Sequence, residues 1–205
     1  MNLILGTIMT NQDNFTRVAA NDLSMTDGKL VLLALENDRY YEMLVERYEK
    51  KLQHYILRFI HCSVQDAEDI IQDVFINAYR NLNDFDTNLK FSSWLYRIAH
   101  NEAVSYLRRV TARPRVIMEE EKFGALASEL NVEKEVERSI DDSKLRDAID
   151  QLNQKYREVI VLRYLEEKSY EEISDILQKP SGSVSSLITR AKRILREEIE
   201  RKKII

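Results

Sequence analysis

Carboxylate and amide side chains recur three and four residues apart between residues 66 and 82. Asp69, Gln72 and Asp73 fall on one side of a helix with this spacing, together with Asn77 and Arg80. A packed helix has a polar outer face whatever its function. Carboxylates that project together can also meet the guanidinium forks of a basic partner helix. The pattern therefore predicts either an ordinary solvent-exposed face or a docking surface for a basic partner.

A second group of chemically capable residues follows between residues 91 and 109. Trp94, Arg97, Asn101, Ser105 and Arg108 lie on one helical stripe. Aromatic faces can stack on unstacked bases, amides can bond base edges and guanidinium groups can bind phosphates. The stripe is compatible with a surface for single-stranded nucleic acid. It is also compatible with a half-buried tryptophan and a solvated arginine rim, and composition alone favours this second reading.

Groupings typical of catalysis do not occur in the sequence. His54, His61 and His100 have no acidic or cysteine partner at a metal-ligand or triad-like spacing, and HExxH, GxSxG and GxxxxGK segments are missing. Each histidine is expected at the surface or at its boundary. We therefore predict a protein that is not an enzyme and that has neither a metal site nor a cofactor.

The elements that position these residues are predicted to be helices. Only four glycines and two prolines occur among 205 residues, so the turns that sandwiches, barrels and dinucleotide folds require are scarce. Apolar residues recur at three and four along most of the chain, with a break near Asn37 and Asp38. The sequence predicts an all-α protein made of two small helical domains joined by a linker, the C-terminal one containing a helix-turn-helix.

The N-terminal helices have recognisable signals. Ser63 with Asp66 three residues later predicts a capped helix that runs to about Leu82. Residues 83–88 are turn formers, and a further helix is expected from Phe91 to Arg109. The buried stripe of the helix at 66–82 is predicted to consist of Ile70, Ile71, Val74, Phe75, Ala78 and Tyr79.

The C-terminal part contains two short helices in succession. A composition shift from Val110 to Ser139, which includes three consecutive glutamates, indicates a linker. Ser169 with Glu172 is a capping box for a helix ending near 177, Pro180 requires a turn, and Ser181 is expected to cap a helix that begins near Gly182. A helix, a turn and a second helix form the unit whose second helix can enter a DNA major groove.

Charge is distributed unevenly along the chain. The net charge of −4 divides into −3 for residues 1–38, 0 for 39–109, −3 for 111–144 and +2 for 145–205. A surplus of two positive charges is a modest signal for nucleic-acid binding. The sequence contains no run of eighteen apolar residues, so no membrane span is predicted. The single cysteine, Cys62, fits a reduced, cytoplasmic setting.

Several motifs together resemble bacterial sigma factors. Residues 66–75 (DAEDIIQDVF), 91–101 (FSSWLYRIAHN) and 106–109 (YLRR) resemble their domain two, and residues 156–164 (YREVIVLRY), 169–173 (SYEEI) and 180–182 (PSG) resemble their domain four. With no recognisable domain one or three, the chain is similar to the extracytoplasmic-function class. The resemblance implies an N-terminal extension at 1–28, domain two at 29–110, a linker at 111–139 and domain four at 140–205.

The resemblance also implies partners and roles. Domain two would bind the clamp helices of the largest subunit of RNA polymerase core and open the minus-ten element of promoter DNA, and domain four would bind the minus-thirty-five element and the polymerase flap. The core-binding residues would be Asp66, Asp69, Gln72, Asp73, Asn77 and Arg80. The minus-ten residues would be Asn83, Asp84, Phe85, Lys90, Phe91, Trp94, Arg97, Asn101, Arg108 and Arg109. The minus-thirty-five residues would be Ser169, Tyr170, Ser181, Gly182, Ser183, Ser185, Ser186, Thr189, Arg190, Lys192 and Arg193.

Three features, at four positions, depart from the family pattern. Ser105 stands where family members commonly have Asp, and Asn153 replaces a proline common at the start of domain four. Ser185 and Leu187 stand where the recognition helix usually carries basic residues. Because Arg190, Lys192 and Arg193 remain, the helix favours phosphate contacts over base-edge readout.

Two other functions stay open at the level of sequence. A sigma-like regulator could bind duplex DNA alone as a dimer, although the charge of +2 in residues 145–205 argues against it. A polymerase-binding protein could occupy the sigma site without initiating transcription. The recognition helix is compatible with this alternative, because it lacks basic residues at positions 185 and 187. An anti-sigma factor covering both domains is a further possible partner, but no residue requires one.

Overall fold

The computed structural model describes residues 25–87, 89–112, 145 and 147–201, and every regular element within these ranges is helical. This confirms the predicted all-α class. The α-helices are α1 (Asp27–Ala34), α2 (Asp38–Ile60), α3 (Val64–Arg80), α4 (Phe91–Ala112), α5 (Gln154–Ile160), α6 (Tyr170–Leu177) and α7 (Ser181–Arg201). Residues 147–150 are also helical. A 3-10 turn spans Leu82–Asp84, and a π-helical turn, Val161–Leu165, follows α5.

Short polar side chains fix the helix starts. The Ser63 hydroxyl accepts the backbone N–H of Asp66 at 3.0 Å, and the Asp66 carboxylate accepts the N–H of Ser63 at 3.3 Å. Ser169 and Glu172 form the same reciprocal box at the start of α6. Asn153, at the position where a proline was expected, accepts the N–H of Lys155 and caps α5. Side chains that satisfy exposed N–H groups therefore define where these helices begin.

The start of α7 differs by one residue from the prediction. Ser181 is the first residue of the helix instead of its cap, because the carbonyl oxygen of Pro180 accepts the N–H groups of Ser183 and Val184 at 2.8 and 3.1 Å. The carbonyl oxygen of Pro180 thus satisfies the first N–H groups of α7, a role that was expected of the Ser181 side chain. The helix-turn-helix itself, formed by α6 and α7, is confirmed.

Helices α1 to α4 form an N-terminal bundle around fully buried residues of α2, including Leu44, Leu52 and Ile56. The predicted buried stripe of α3 is correct except at Tyr79, which is 40% exposed. Its hydroxyl donates to the Asp38 carboxylate at 2.7 Å, and its ring packs edge to face with the Tyr41 ring, the centroids lying 5.0 Å apart. The residue lies at the rim of the bundle, where a phenol can bury its ring edge and keep its polar end in water.

Helices α5 to α7 and the π-helical turn form a C-terminal unit. Its core contains Ile160 and Leu162 before the helix-turn-helix, Ile173 in α6, and Val184 and Ile188 in α7. The two units pack on one another, α6 against α4 and α5 against α2. Their buried side chains form one continuous hydrophobic cluster.

The domain boundaries remain expectations. Helix α4 continues to Ala112, two residues into the segment expected to be the linker. The rest of that segment and residues 1–24 of the expected N-terminal extension lie outside the described residues. No helix among the described residues combines the length and hydropathy that crossing a bilayer requires.

Candidate functional site

The outer face of α3 presents a group of polar side chains to solvent. Asp69, Gln72, Asp73 and Arg80 are all exposed and lie on the side opposite the buried stripe. Asp66, at the start of the same helix, is half-buried and accepts a hydrogen bond from the Ser63 hydroxyl at 2.6 Å. Four of the six predicted core-binding residues are therefore exposed, while Asp66 contributes to the helix cap.

Asn77 connects α3 to α4 instead of pointing only outward. Its amide donates to the Glu102 carboxylate of α4 at 3.1 Å. Its side-chain oxygen accepts a hydrogen bond from Asn81 at 2.7 Å. Sequence reasoning missed Glu102, since nothing local indicates that a half-buried acid on α4 meets an amide twenty-five residues earlier.

A groove separates α3 from the C-terminal part of α4. One wall is made by Asp66, Asp69 and Asp73, and the opposite wall includes Tyr106 and Arg109. Burial and a hydrogen bond to Asp66 raise the pKa of Tyr106 to about 12. Arg109, predicted among the minus-ten residues, thus lies beside the carboxylates of α3. Sequence reasoning did not single out Tyr106, which stands next to the exposed stripe.

An aromatic cluster forms at the start of α4. The Trp94 ring is half-buried, and its centroid lies 5.2 Å from that of Phe85 and 5.6 Å from that of Phe91. Phe85 and Phe91 are buried and meet edge to face at 5.6 Å. The two phenylalanines therefore pack against the Trp94 ring and support it. Direct contact of either phenylalanine with DNA stays a prediction.

The polar residues around this cluster are accessible. Asn83, Asp84 and Lys90, in the connection between α3 and α4, are exposed. Arg97 is half-buried, whereas Asn101 and Arg108 are exposed further along α4. Trp94 and this stripe therefore form one continuous surface that begins at the α3–α4 connection.

The helix-turn-helix presents the side of α7 opposite its core. Its exposed residues include all the α7 positions predicted to meet DNA: Ser181, Gly182, Ser183, Ser185, Ser186, Thr189, Arg190, Lys192 and Arg193. The Thr189 hydroxyl donates to the Ser185 carbonyl oxygen at 3.0 Å, and Arg193 pairs with Glu197 at 2.6 Å. Ser169 caps α6, and Tyr170, which is half-buried, lies under the Arg163 guanidinium group.

The expectation for the histidines is wrong at one position. His54 is half-buried and His61 is exposed, but His100 is only 8% exposed. Its Nδ1 lies 3.0 Å from the Tyr55 hydroxyl, and burial together with the Lys179 ammonium lowers its pKa to about 4. The sequence pattern missed this burial because the groups around His100 come from α2 and from the C-terminal unit.

Groups suited to nucleophilic or metal chemistry are not evident in the described ranges. No set of three or more His, Cys, Asp or Glu side chains there is arranged to hold a metal ion. Burial raises the pKa of Cys62 to about 12, so its thiol stays protonated at neutral pH.

Two protein families match successive parts of the chain. Residues 44–113 match the family described as Sigma-70 region 2, which contains α3, α4 and the Trp94 cluster. Residues 142–195 match the family described as Sigma-70, region 4; this range contains α6 and α7 as far as Leu195. The matches occur in the order that the sequence motifs predicted.

Full-length relatives agree with these matches. The chain is 34% identical over 182 residues to RNA polymerase sigma-H factor of Pseudomonas aeruginosa, covering 85% of this chain and 94% of that protein. It is 36% identical over 170 residues to the ECF RNA polymerase sigma factor SigW of Bacillus subtilis, covering 76% and 87%. A solved structure of CnrH in complex with the cytosolic domain of CnrY superimposes with a TM-score of 0.65 at 26% identity, covering 85% of this chain and 97% of that one. The chain therefore belongs to the extracytoplasmic-function class of RNA polymerase sigma factors.

Proposed function

We propose that the protein is a promoter-specificity subunit of RNA polymerase. It binds the polymerase core, directs the holoenzyme to promoters and opens the DNA strands at which transcription starts. It acts in the bacterial cytoplasm, where polymerase and chromosome meet, and it catalyses no covalent step of its own. Residues 29–110 bind core and the minus-ten element, residues 140–205 bind the minus-thirty-five element, and the acidic linker at 111–139 follows the RNA path of the polymerase.

The observation that carries the proposal is the arrangement of two surfaces on neighbouring helices. The carboxylates Asp69 and Asp73 are exposed on α3, and Trp94 lies on its aromatic support at the start of α4. Helices α3 and α4 pack against each other. A polymerase helix bound to α3 therefore holds Trp94 at a fixed position relative to the enzyme.

Energetics favour Trp94 as the residue that captures a base. Extruding a base from a duplex costs a few kcal/mol, and stacking on an aromatic side chain returns roughly 1–3 kcal/mol per base. One stacked base with nearby hydrogen bonds from Asn101 and phosphate contacts from Arg97 or Arg108 can thus offset strand separation. No ATP is needed for an exchange of this size.

The C-terminal unit positions the holoenzyme on promoter DNA through phosphate contacts. The exposed α7 residues Arg190 and Lys192 are suited to phosphate oxygens, whereas Ser183, Ser185 and Ser186 have few groups for reading base edges. We assign α7 to the major groove of the minus-thirty-five element and the other side of the unit to the polymerase flap.

A protein inhibitor is a further proposed partner. CnrH, whose fold the chain shares, was solved in complex with the cytosolic domain of CnrY. We propose that an anti-sigma factor binds this chain in a comparable way and covers parts of both units.

Replacing Trp94 tests the proposal directly. Holoenzyme carrying Trp94→Ala is expected to open promoter DNA about ten- to hundredfold less, as measured by permanganate reactivity of minus-ten thymines, because one stacking contact is lost. Its affinity for core polymerase should stay unchanged. Trp94→Phe keeps a stacking surface and should retain part of the opening, and Tyr164→Ala, which removes a 48% exposed aromatic ring elsewhere, is the matched control. Loss of core binding together with opening would assign Trp94 to packing alone.

A further inference from the structure

A leucine is exposed in the connection between α3 and α4. The Leu89 side chain is 55% exposed, and its backbone N–H donates to the Asp86 carbonyl oxygen at 2.9 Å. A hydrogen-bonded turn therefore holds the residue at this position. The other described residues of the connection that are exposed are polar, among them Asn83, Asp84 and Lys90. Leu89 thus places an apolar side chain on a polar surface.

The register of α4 places Leu89 beside Trp94. The Lys90 carbonyl oxygen accepts the N–H of Trp94 at 3.2 Å, which makes Lys90 the N-cap of the helix. Leu89 is then the residue before the cap, and Trp94 is the fourth residue of the helix. Side chains at these two positions commonly pack together as a hydrophobic staple. Leu89 nevertheless keeps about half of its surface in water, so the start of α4 presents a leucine and a tryptophan together to solvent.

The surroundings of this pair are suited to nucleic acid. Phe85 and Phe91 pack against the Trp94 ring at centroid distances of 5.2 and 5.6 Å. The Lys90 side chain is 69% exposed, although it pairs with Glu172, and adds a cation next to the leucine. Proteins that unstack DNA insert apolar side chains such as leucine between base steps, with cations nearby for the phosphates. The start of α4 offers the same combination.

Extruding a base from a duplex creates two requirements. The base needs a new stacking partner, which Trp94 supplies in the proposed function. The gap left in the stack must also stay closed to that base, because re-stacking there reverses the extrusion. A leucine that enters the gap removes its own apolar surface from water and offsets part of the unstacking. Leu89 and Trp94 can therefore serve the two requirements from neighbouring positions.

Resting on the proposed function, we propose that Leu89 is the wedge of strand opening. Its side chain enters the stack of promoter DNA at the base step from which the captured base leaves, and Trp94 holds that base beside it. A leucine forms no hydrogen bonds with base edges, so Leu89 contributes to opening without reading the sequence. Its contribution is confined to DNA whose bases are still stacked.

Transcription from paired and premelted promoters separates the wedge from the stacking residue. Holoenzyme carrying Leu89→Ala is expected to give about five- to tenfold less run-off transcript from a fully paired promoter, because the apolar insert is lost. From the same promoter with mismatched minus-ten bases, which are already unstacked, its yield should match wild type within about twofold. Leu89→Met keeps an apolar insert and should retain most of the yield. Trp94→Ala should lose transcript from both templates, because stacking is needed on either.

Leu32→Ala is the matched control, because it removes a leucine that is 56% exposed on α1. It should leave both yields unchanged. The affinity of Leu89→Ala for core, measured by competition with labelled wild type, and its thermal unfolding should also equal those of wild type. Weaker core binding by this variant would overturn the wedge and assign Leu89 to the polymerase.

The remaining outcomes separate this inference from the proposed function. Equal yields from the paired promoter with Leu89→Ala and wild type would overturn the wedge and leave the proposed function intact. An equal loss from both templates would also overturn it, since Leu89 would then act only by supporting Trp94. Wild-type holoenzyme that transcribes neither template would overturn the proposed function, and the wedge with it.

Discussion

His100 is a buried polar side chain at the place where the two units meet. Its ring stacks on Phe59, its Nδ1 faces the Tyr55 hydroxyl, and its Nε2 lies 3.8 Å from the Glu158 carboxylate. Burial raises the pKa of Glu158, an effect that the Lys179 ammonium opposes. His100 is therefore held neutral in the folded protein.

Acidification is expected to destabilise the protein through His100. Its pKa falls from 6.5 to about 4 on folding, so the unfolded chain binds the proton more readily. The stability associated with neutral His100 is present above pH 6.5 and is lost as the pH falls toward 4. Between pH 7 and 5, the free energy of unfolding should fall by about 2 kcal/mol more in wild type than in His100→Gln, measured by urea denaturation.

The comparison with His100→Gln isolates this histidine. His54 and His61, whose pKa values burial also lowers, contribute equally to both proteins. The raised pKa of Glu158 acts in the opposite direction, since a protonated carboxyl favours the folded state. Equal pH dependence in wild type and variant would contradict the buried, neutral state of His100.

The exposure or burial of a side chain was predictable from the sequence where helical spacing alone determines it. The exposure of Asp69, Gln72 and Asp73 follows from helical periodicity alone. The burial of His100 and the exposure of Tyr79 do not, because each depends on neighbours distant in sequence. The groove position of Arg109 was missed for the same reason: its carboxylate neighbours lie on another helix.

Helix boundaries were predicted well because their signals are local. The capping boxes at Ser63 and Ser169 mark the starts of α3 and α6 as expected. Asn153 caps α5, which explains why a proline is dispensable there. The π-helical turn after α5 left no recognisable pattern in the sequence, since its apolar residues also fit an ordinary helix.

The exposed surface of α7 predicts how this element contributes to promoter binding. Arg190→Ala should weaken holoenzyme binding to promoters with intact and altered minus-thirty-five sequences by similar factors, because a phosphate contact carries no sequence information. It should also reduce the slope of log affinity against log salt by about 1. Filter binding or fluorescence anisotropy over a salt series measures both.

Arg201→Ala provides the matched control on the same helix. Arg201 lies at the far end of α7 and pairs with Glu198, so its removal should leave the salt slope unchanged. A selective loss of binding to one minus-thirty-five sequence in Arg190→Ala would instead assign this side chain to base readout.

At the scale of the whole molecule, charge and architecture describe a subunit that depends on its enzyme. The C-terminal residues 145–205 have a net charge of only +2, and tight duplex binding normally requires many neutralised phosphates. In the proposed function, the anchor is the α3 surface, which binds polymerase. The two-domain organisation was predictable from motifs, whereas the packing of one unit on the other was not, because long-range contacts such as Arg58–Glu166 leave no periodic pattern.

The central claim is that the protein initiates transcription through core polymerase, and run-off transcription on fragments of its native genome tests it most directly. Core polymerase with the wild-type protein is expected to give promoter-dependent product that core alone does not give. Asp69→Ala/Asp73→Ala should abolish that product, while Glu46→Ala/Glu49→Ala, which removes two exposed carboxylates from α2, should retain it. Binding of the protein to DNA without core, and no transcript with core, would contradict the account.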